Sequence, residues 1–315
     1  MAEYKGINGT KIQNYTSDPD NPLTGQVWYN ETANTLKYFY NNPGAWATGG
    51  VLNTARRLLA GAGTQTAALA FGGGPPFTAI TESYNGTSWT EVNDLNTARR
   101  QLAGAGTNTA ALGFGGYNPT LPVSPIANTE SWNGTNWTEV NDLNTARSRL
   151  AGAGIQTAAL AFGGDPSTAV TETWNGTNWT EVNDLNTARR ELAGAGTNTA
   201  ALAFGASPSL ALTESWNGTN WTEVNDLNTG RGALGGVGVD NTSALAFGGE
   251  GPAVTGATES WNGTNWTEVA DLGTARYALA GAGIQTAALA FGGQPSGTLT
   301  EEWNSGPATV TITTD

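Results

Sequence analysis

Short stretches of alternating apolar and polar residues return along the chain every 42–48 residues. In the first five returns, TESW or a close variant is joined to WTEV by Asn-Gly, a dipeptide typical of tight hairpins. Before them come LAGAG, which has almost no side-chain volume, and TAALAF, which is apolar at nearly every position. Alternation predicts half-buried strands, and a continuous apolar run predicts a strand covered on both faces. Gly, Thr and Asn are too frequent for helices, so each unit is predicted to contain four short strands.

The unit occurs six times, and two residue types mark it most clearly. An arginine follows NTA or its variant at the corner between units, at Arg56, Arg99, Arg147, Arg189, Arg231 and Arg276. A phenylalanine ends the apolar stretch, at Phe71, Phe114, Phe162, Phe204, Phe247 and Phe291. Large residues at fixed positions argue against a disordered glycine-rich chain. Four-stranded units of about 40–50 residues are the length of β-propeller blades, so the fold predicted is an all-β propeller.

The same units resemble the kelch repeat over about residues 46–304. Gly-Gly follows the phenylalanine in five units, whereas the fourth has Gly205-Ala206. An aromatic residue comes next, at Tyr84, Trp132, Trp174, Trp216, Trp261 and Trp303. A second tryptophan stands at Trp89, Trp137, Trp179, Trp221 and Trp266. The resemblance implies a kelch-type β-propeller and, by itself, no activity.

The sixth unit lacks a second tryptophan, and this gap bears on the number of blades. Trp46 lies six residues before Leu52, the offset that Trp89 keeps from Leu95. We therefore expect the strand around Trp46 to be the outermost strand of the last blade, which gives six four-stranded blades. In the alternative, residues 308–315 form that strand, and the N-terminal segment supplies a partial seventh blade or a separate hairpin module. The domains expected are an N-terminal arm or hairpin at 1–45 and a propeller at 46–315.

Composition narrows the classes of function. A net charge of −13 with 12% charged residues disfavours nucleic acid and anionic membranes as partners. The absence of His and Cys removes the commonest general base and metal ligands, so neither a metal nor another cofactor is expected. The N-terminus has no apolar run, so neither a signal peptide nor membrane insertion is expected.

The N-terminal arm differs in composition from the repeats, since it holds all three lysines, Lys5, Lys11 and Lys37. Its segment GQVWYNETANTLKYFYNNPGAW resembles a hairpin module near the N-termini of tail-fibre and other structural proteins of marine bacteriophages. The resemblance implies a virion protein whose arm attaches to other virion proteins. A virion location would also account for an exterior protein without a signal peptide.

The loops after Gly-Gly vary in length and chemistry, whereas the turns at the other end of each unit barely change. A rigid support with one variable region favours a binding surface at the variable end. Candidate contacts are Tyr117 in the longest loop and the variable position after each corner arginine, notably Arg57, Arg100, Arg190 and Tyr277. A ring of six corner arginines could bind carboxylate or sulfate groups of a glycan. We favour a structural role for that ring, in which each arginine satisfies backbone carbonyls or pairs with the aspartate before it, such as Asp94.

No catalytic residues are predicted. Kelch-type copper oxidases need His and Cys ligands, and glycosidases need two facing carboxylates about 5–10 Å apart. The repeated glutamates of TES and TEV are expected to point outward. The function expected is therefore a non-enzymatic virion structural or adhesive protein, such as a tail fibre, which binds a host surface glycan or another virion protein. The alternative is a free propeller that binds or hydrolyses glycans in the manner of a sialidase.

Overall fold

The computed structural model describes residues 12–122 and 124–312, whose regular secondary structure is entirely β-strand. They divide into two compact units, Ala45–Asn304 and residues 12–44 with 305–312. Two long strands, β3 (Thr35–Thr48) and β26 (Thr300–Ile312), belong in part to each unit. Residues 305–312 are thus grouped with the N-terminal segment, whereas the sequence analysis assigned them to the propeller. Lys5, Lys11 and residues 313–315 lie outside the described residues.

The unit Ala45–Asn304 is a propeller of six blades, each an antiparallel sheet. The first blade contains β4 (Ala60–Thr64), β5 (Ala67–Phe71), β6 (Thr81–Tyr84) and β7 (Trp89–Val92). The second contains β8 (Ala103–Gly106), β9 (Ala111–Phe114), β10 (Thr129–Trp132) and β11 (Trp137–Val140). The third contains β12 (Ala151–Ile155), β13 (Ala158–Phe162), β14 (Thr171–Trp174) and β15 (Trp179–Val182).

The remaining blades follow the same order from the inner to the outer strand. The fourth contains β16 (Ala193–Gly196), β17 (Ala201–Ala206), β18 (Leu210–Trp216) and β19 (Trp221–Val224). The fifth contains β20 (Gly235–Asp240), β21 (Ser243–Phe247), β22 (Thr258–Trp261) and β23 (Trp266–Val269). The sixth contains β24 (Ala280–Ile284), β25 (Ala287–Phe291), the first residues of β26 and the last residues of β3. The prediction of six four-stranded blades is confirmed.

The inner strands form a closed circle in which each lies beside the next, and β24 of the last blade lies beside β4 of the first. The alternative of a partial seventh blade is therefore wrong. Residues 308–312 continue β26 and do not form a separate outer strand. Small residues are required on the inner strands because a phenylalanine of the preceding blade fills the space. A Cβ atom added to Gly152, for example, would lie 2.6 Å from Cζ of Phe114.

Adjacent blades are held together by aromatic packing and by a repeated hydrogen bond. Phe162 of the third blade is fully buried and packs on Trp221 of the fourth, with ring centroids 5.0 Å apart. Trp221 Nε1 donates to Thr171 Oγ1 of the third blade at 3.1 Å. A packed tryptophan buries roughly 150–250 Å², on the order of 4–6 kcal/mol of gross transfer free energy at about 25 cal/mol per Å². The repeated Phe and Trp side chains therefore stabilise the packing of adjacent blades.

Trp46 occupies the corresponding place in the last blade. Its Nε1 donates to Thr258 Oγ1 of the fifth blade at 3.1 Å, and its ring packs edge-on against Phe247 at 5.1 Å. It also lies 5.5 Å from the ring of Trp303. Gly49, which follows β3, donates its backbone N–H at 2.9 Å to the carbonyl of Thr300, the first residue of β26. The last blade thus combines an N-terminal strand with three C-terminal ones.

The other unit contains a small sheet of β1 (Gln13–Tyr15), β2 (Val27–Asn30) and β3. β1 pairs parallel to β2, and β2 forms a hairpin with β3 in which Trp28 lies opposite Lys37. Asp18 accepts hydrogen bonds from Trp28 Nε1 at 3.0 Å, Asn30 Nδ2 at 2.7 Å and Lys37 Nζ at 2.7 Å. This one carboxylate therefore ties together both strands of the hairpin.

Candidate functional site

The six corner arginines are buried inside their blades, with exposed fractions of 0–2%. In the third blade, Arg147 donates to the carbonyls of Gly163 at 3.2 Å and Ala161 at 3.3 Å, and to Glu172 Oε1 at 3.0 Å. The same ion pair recurs as Arg56–Glu82, Arg99–Glu130, Arg189–Glu214, Arg231–Glu259 and Arg276–Glu301. Burial lowers the pKa of these arginines below the usual 12.5, and the nearby carboxylates oppose the shift. For Arg276 the pKa falls to about 10, so the side chain stays charged at neutral pH.

The TES glutamates do not point outward as expected: Glu172 is fully buried, whereas Glu181 on the next strand is exposed. Of the two structural roles expected for the corner arginine, the hydrogen bonds to backbone carbonyls are present. The preceding aspartate is not its partner, and Asp184 Oδ1 accepts from the backbone N of Thr171 at 3.0 Å. The arginine needs the carboxylate inside the blade because an unpaired charge there would lose its hydration without compensation.

In the first five blades the buried glutamates also accept several further hydrogen bonds. Glu172 accepts from Asn144 N at 2.7 Å, Asn144 Nδ2 at 2.8 Å and Thr145 N at 3.3 Å, in addition to Arg147. The NTAR motif therefore wraps a buried carboxylate with its backbone and side chains. The corner arginines and these glutamates are therefore engaged inside the blades and are not available to a ligand.

The residue after each corner arginine lies opposite the residue after Gly-Gly. These bridges are Arg57–Gly74, Arg100–Tyr117, Ser148–Asp165, Arg190–Ser207, Gly232–Glu250 and Tyr277–Gln294. They lie at the end of the propeller that carries the variable loops, residues 72–80, 115–122, 124–128, 163–170, 207–209, 248–257 and 292–299. We call this end the loop face. All the sequence-predicted binding candidates lie on it, at positions that vary from blade to blade.

These candidates form three separate groups on the loop face. Arg57 Nη1 lies 3.5 Å from the Tyr277 hydroxyl, which donates to Gln294 Oε1 at 3.1 Å. The guanidinium of Arg100 lies over the ring of Tyr117, 5.5 Å from its centroid. Arg190 Nη1 forms an ion pair with Asp165 Oδ1 at 2.6 Å. The first two groups keep an arginine without a carboxylate partner among the described residues.

Sequence analysis missed a further ring of residues at the mouth of the central channel. Its members are one position beyond the bridges and share a left-handed backbone, with φ between +50° and +59°: Leu58, Gln101, Arg149, Glu191, Ala233 and Ala278. Each donates its backbone N–H to the carbonyl of the member before it, at 2.7–2.9 Å, and Leu58 donates to Ala278. The hydrogen bonds therefore close a circle around the axis. In the sequence, these positions are marked only by their variation, since the residues around them in the repeat are nearly constant.

The channel mouth is polar on one side and apolar on the other. Arg149 forms an ion pair with Glu191 at 3.1 Å, and the Gln101 amide, turned to accept, lies 2.8 Å from Arg149 Nε. Across the axis lie Ala233 and Ala278. Below them, the next residue of each blade forms a ring of buried leucines: Leu59, Leu102, Leu150, Leu192, Leu234 and Leu279. The cavity above these leucines is about 100 Å³, enough for a few water molecules.

The arginines that lie outside the blade interiors are gathered on the loop face. Besides the six corner arginines, the sequence has four more, and all of them lie here: Arg57, Arg100, Arg149 and Arg190. Among the described residues, no group of three or more His, Cys, Asp or Glu could hold a metal ion. No helix in the same ranges is long and apolar enough to cross a membrane.

Comparison with known proteins supports the fold and goes no further. No protein-family model matches the sequence, and no curated protein sequence matches it. Among solved structures, that of YjhT is similar, with a TM-score of 0.65 and 12% sequence identity. The match covers 85% of this chain and 98% of YjhT. At this identity the likeness concerns the architecture alone, a β-propeller with six blades.

Proposed function

We propose that the protein is a non-enzymatic structural or adhesive component of a bacteriophage virion, whose loop face binds an acidic glycan on the host surface. The observation that carries the binding part is the placement of Arg57 and Arg100. Both lie on the variable end of a rigid support, and neither is paired with a carboxylate among the described residues. On a chain of net charge −13, an unpaired guanidinium is a local attraction for anions that the acidic side chains do not offer.

The ligand proposed is a glycan that carries carboxylate or sulfate groups. A guanidinium presents a planar set of donors that matches such groups in a bidentate manner. The rigid frame beneath the loop face supports this role, because each corner is fixed by a buried ion pair and by backbone hydrogen bonds. A preorganised surface loses little entropy when a ligand binds.

The virion part of the proposal is supported by the N-terminal segment GQVWYNETANTLKYFYNNPGAW, whose sequence resembles the hairpin module of phage structural proteins. The hairpin of β2 and β3 is built from this segment. In this proposal the N-terminal arm attaches to other virion proteins and the loop face points to the host. Another virion protein is the alternative ligand of the loop face.

Binding is favoured over hydrolysis by the state of the acidic side chains. In the first five blades the buried glutamates are enclosed by donors, and on the loop face Asp165 and Glu191 are held in ion pairs with Arg190 and Arg149. Glu250 is exposed on the same face and is a single carboxylate. A glycosidase needs one carboxylic acid to donate a proton and a second carboxylate facing it. We therefore place the free glycan-hydrolysing propeller second.

A glycan array tests the binding part. We expect acidic glycans to bind the intact chain and neutral ones not to bind, with retention that falls as salt rises. The double variant Arg57→Gln/Arg100→Gln should lose this binding, whereas Glu223→Gln, an exposed exchange on an outer strand, should keep it. Equal binding of acidic and neutral glycans, or an unaffected double variant, would contradict the proposal.

Mass spectrometry of purified particles tests the virion part. We expect peptides of this chain at a constant ratio to other particle proteins after density-gradient purification. A chain that lacks residues 1–44 should fold as a propeller but fail to enter particles, since the arm is the proposed attachment. Absence of the chain from purified particles would refute this part and leave the glycan-binding part standing.

A further inference from the structure

A cleft of about 380 Å³ opens on the loop face between the last blade and the first. Its charged and polar lining comes from Arg57 and Gln294, and its apolar walls from Pro75 and Pro295. The backbone of residues 55–56 and Gly297 forms the rest. Small-molecule sites commonly have volumes of about 300–1,000 Å³ and combine apolar walls with a few polar groups. The cleft has both properties.

The sequence explains why the cleft opens beside Arg57. Arg57 bridges to Gly74, which has no side chain, whereas Arg100 bridges to Tyr117, whose ring lies beneath the guanidinium. Arg190 has no such ring either, but its charge is paired with Asp165. Of these three arginines, Arg57 alone has neither an aromatic cover nor a carboxylate.

The hydrogen-bonding capacity of Arg57 is largely unused. Among the described residues, its Nη1 makes one long contact of 3.5 Å to the Tyr277 hydroxyl, and it has no carboxylate partner. A guanidinium has five N–H donors. Because Arg57 lines the cleft, its guanidinium is available there to an anionic acceptor.

We propose that this cleft is the subsite for a single sugar acid, with the carboxylate on Arg57 and the C–H face of the ring against Pro75 and Pro295. The proposal rests on the glycan-binding function proposed above and assigns it to one place. Gln294 and Tyr277 lie beside Arg57 and offer an amide and a hydroxyl to the hydroxyl groups of the sugar. One unpaired charge with apolar walls fits a monoanion that has an apolar face.

An acidic peptide fits the cleft less well. A peptide with several carboxylates needs several unpaired cations in a row, but Arg100 does not line the cleft and Arg190 is paired with Asp165. Arg149 is paired with Glu191 in the same way. The single unpaired arginine in the cleft favours a ligand that carries one charge.

Titration of the whole chain with glucuronate, followed by NMR or calorimetry, tests the subsite. Glucuronate should bind with millimolar affinity and glucose should not bind measurably. Arg57→Gln should weaken glucuronate binding at least tenfold. Arg57→Lys should weaken it less, because the charge remains and the bidentate fork is lost. Glu181→Gln, an exposed exchange on an outer strand, serves as the control and should change the affinity less than twofold.

The outcomes separate this inference from the function it rests on. If acidic glycans bind on the array but Arg57→Gln leaves glucuronate affinity within twofold, the subsite is refuted and glycan binding stands. If glucuronate binds through Arg57 but no glycan on the array is retained, the subsite stands and host adhesion fails. Absence of glucuronate binding to the intact chain, or binding of a tetraglutamate peptide through Arg57 in its place, overturns the sugar-acid assignment.

Discussion

The hydroxyl of Tyr84 donates a 2.5 Å hydrogen bond to Glu302 Oε1, and so joins the first blade to the last. Both residues depart from the repeat. The other five blades have Trp where Tyr84 stands, and Ser or Thr where Glu302 stands. In those blades the tryptophan donates to a backbone carbonyl, as Trp174 Nε1 does to Gln156 O at 3.0 Å. The two departures meet at the one seam where the ring is closed by the two ends of the chain.

Removal of the Tyr84 hydroxyl should weaken this seam. Tyr84→Phe is expected to lower the free energy of unfolding by about 1.5–3 kcal/mol, the range for hydrogen bonds to charged groups. Glu302→Ser, which restores the residue of the other blades, should have a smaller effect once Tyr84 is already Phe. Urea unfolding of both single variants and the double variant measures the coupling. Additive effects of the two exchanges would show that the bond contributes nothing to closure.

The same pair predicts a loss of stability at alkaline pH. Burial, and then the hydrogen bond to Glu302, raise the pKa of Tyr84 from 10.0 to about 12. The folded state thus keeps a proton that the unfolded state releases, so the contribution is complete below pH 10 and is lost as pH rises through about 12. Stability measured in urea at about pH 9 and about pH 11 should fall more for the intact chain than for Tyr84→Phe. Parallel profiles would contradict the assignment.

Gly273 marks a second weak point of the last blade. In each of the other five blades an asparagine at this position donates twice to the buried glutamate, as Asn53 does to Glu82. Glu301 accepts a hydrogen bond from the backbone N–H of Gly273 at 2.7 Å, and its Oε1 lies 3.3 Å from Arg276 Nη2 in the ion pair without a hydrogen-bond donor among the described residues.

Gly273→Asn should therefore stabilise the chain by about 1 kcal/mol. A Cβ at this position would lie 3.1 Å from Glu301 Oε2, and the other blades accommodate the same side chain beside the same carboxylate. Gly273→Ala, which adds the Cβ without the amide, is the control and should not stabilise. The midpoint of thermal unfolding should rise for Gly273→Asn and not for Gly273→Ala, and equal midpoints would contradict the prediction.

The repeat of large apolar residues predicted the blades because these residues recur where side chains are buried between sheets. Phe162 and Trp221 recur at fixed spacing since each must fill the same space between sheets, and Trp46 could be matched to the series by its offset from Leu52. The partner of Arg147 could not be read in this way. Both Asp184 and Glu172 repeat with the arginine, and only the register of β14 shows which carboxylate lies inside the blade.

The candidate site was predicted in outline only. Variation after the corner arginines marked Arg57 and Arg100 as candidates, but the sequence gives no measure of what covers each guanidinium. That depends on the bridge partner, Gly74 in one case and Tyr117 in the other. The channel mouth was missed because its left-handed residues, such as Arg149 and Glu191, are not Gly, Asn or Asp, the types that usually indicate a positive φ.

Glu172→Gln should strongly destabilise the propeller. It removes the negative partner of Arg147 inside the third blade and leaves a buried charge without compensation. The expected loss is about 3–5 kcal/mol. The control is Glu181→Gln, because Glu181 lies directly opposite Glu172 on the neighbouring strand and is exposed; its loss should be below about 0.5 kcal/mol. Equal urea midpoints for the two variants would show that the buried pair is dispensable.

Acid should act on the small sheet through Asp18. Hydrogen bonds from Lys37, Asn30 and Trp28 lower the pKa of Asp18 from 3.8 to about 2. The folded state therefore resists protonation, and the contribution of Asp18 is complete above pH 3.8 and is lost as pH falls through about 2. Carboxyl-detected NMR should show the low pKa in the intact chain. Because Lys37 makes the largest contribution, Lys37→Met should raise the pKa of Asp18 toward 3.8, whereas Lys37→Arg should keep it low. A pKa that stays near 2 in Lys37→Met would assign the effect to Asn30 and Trp28.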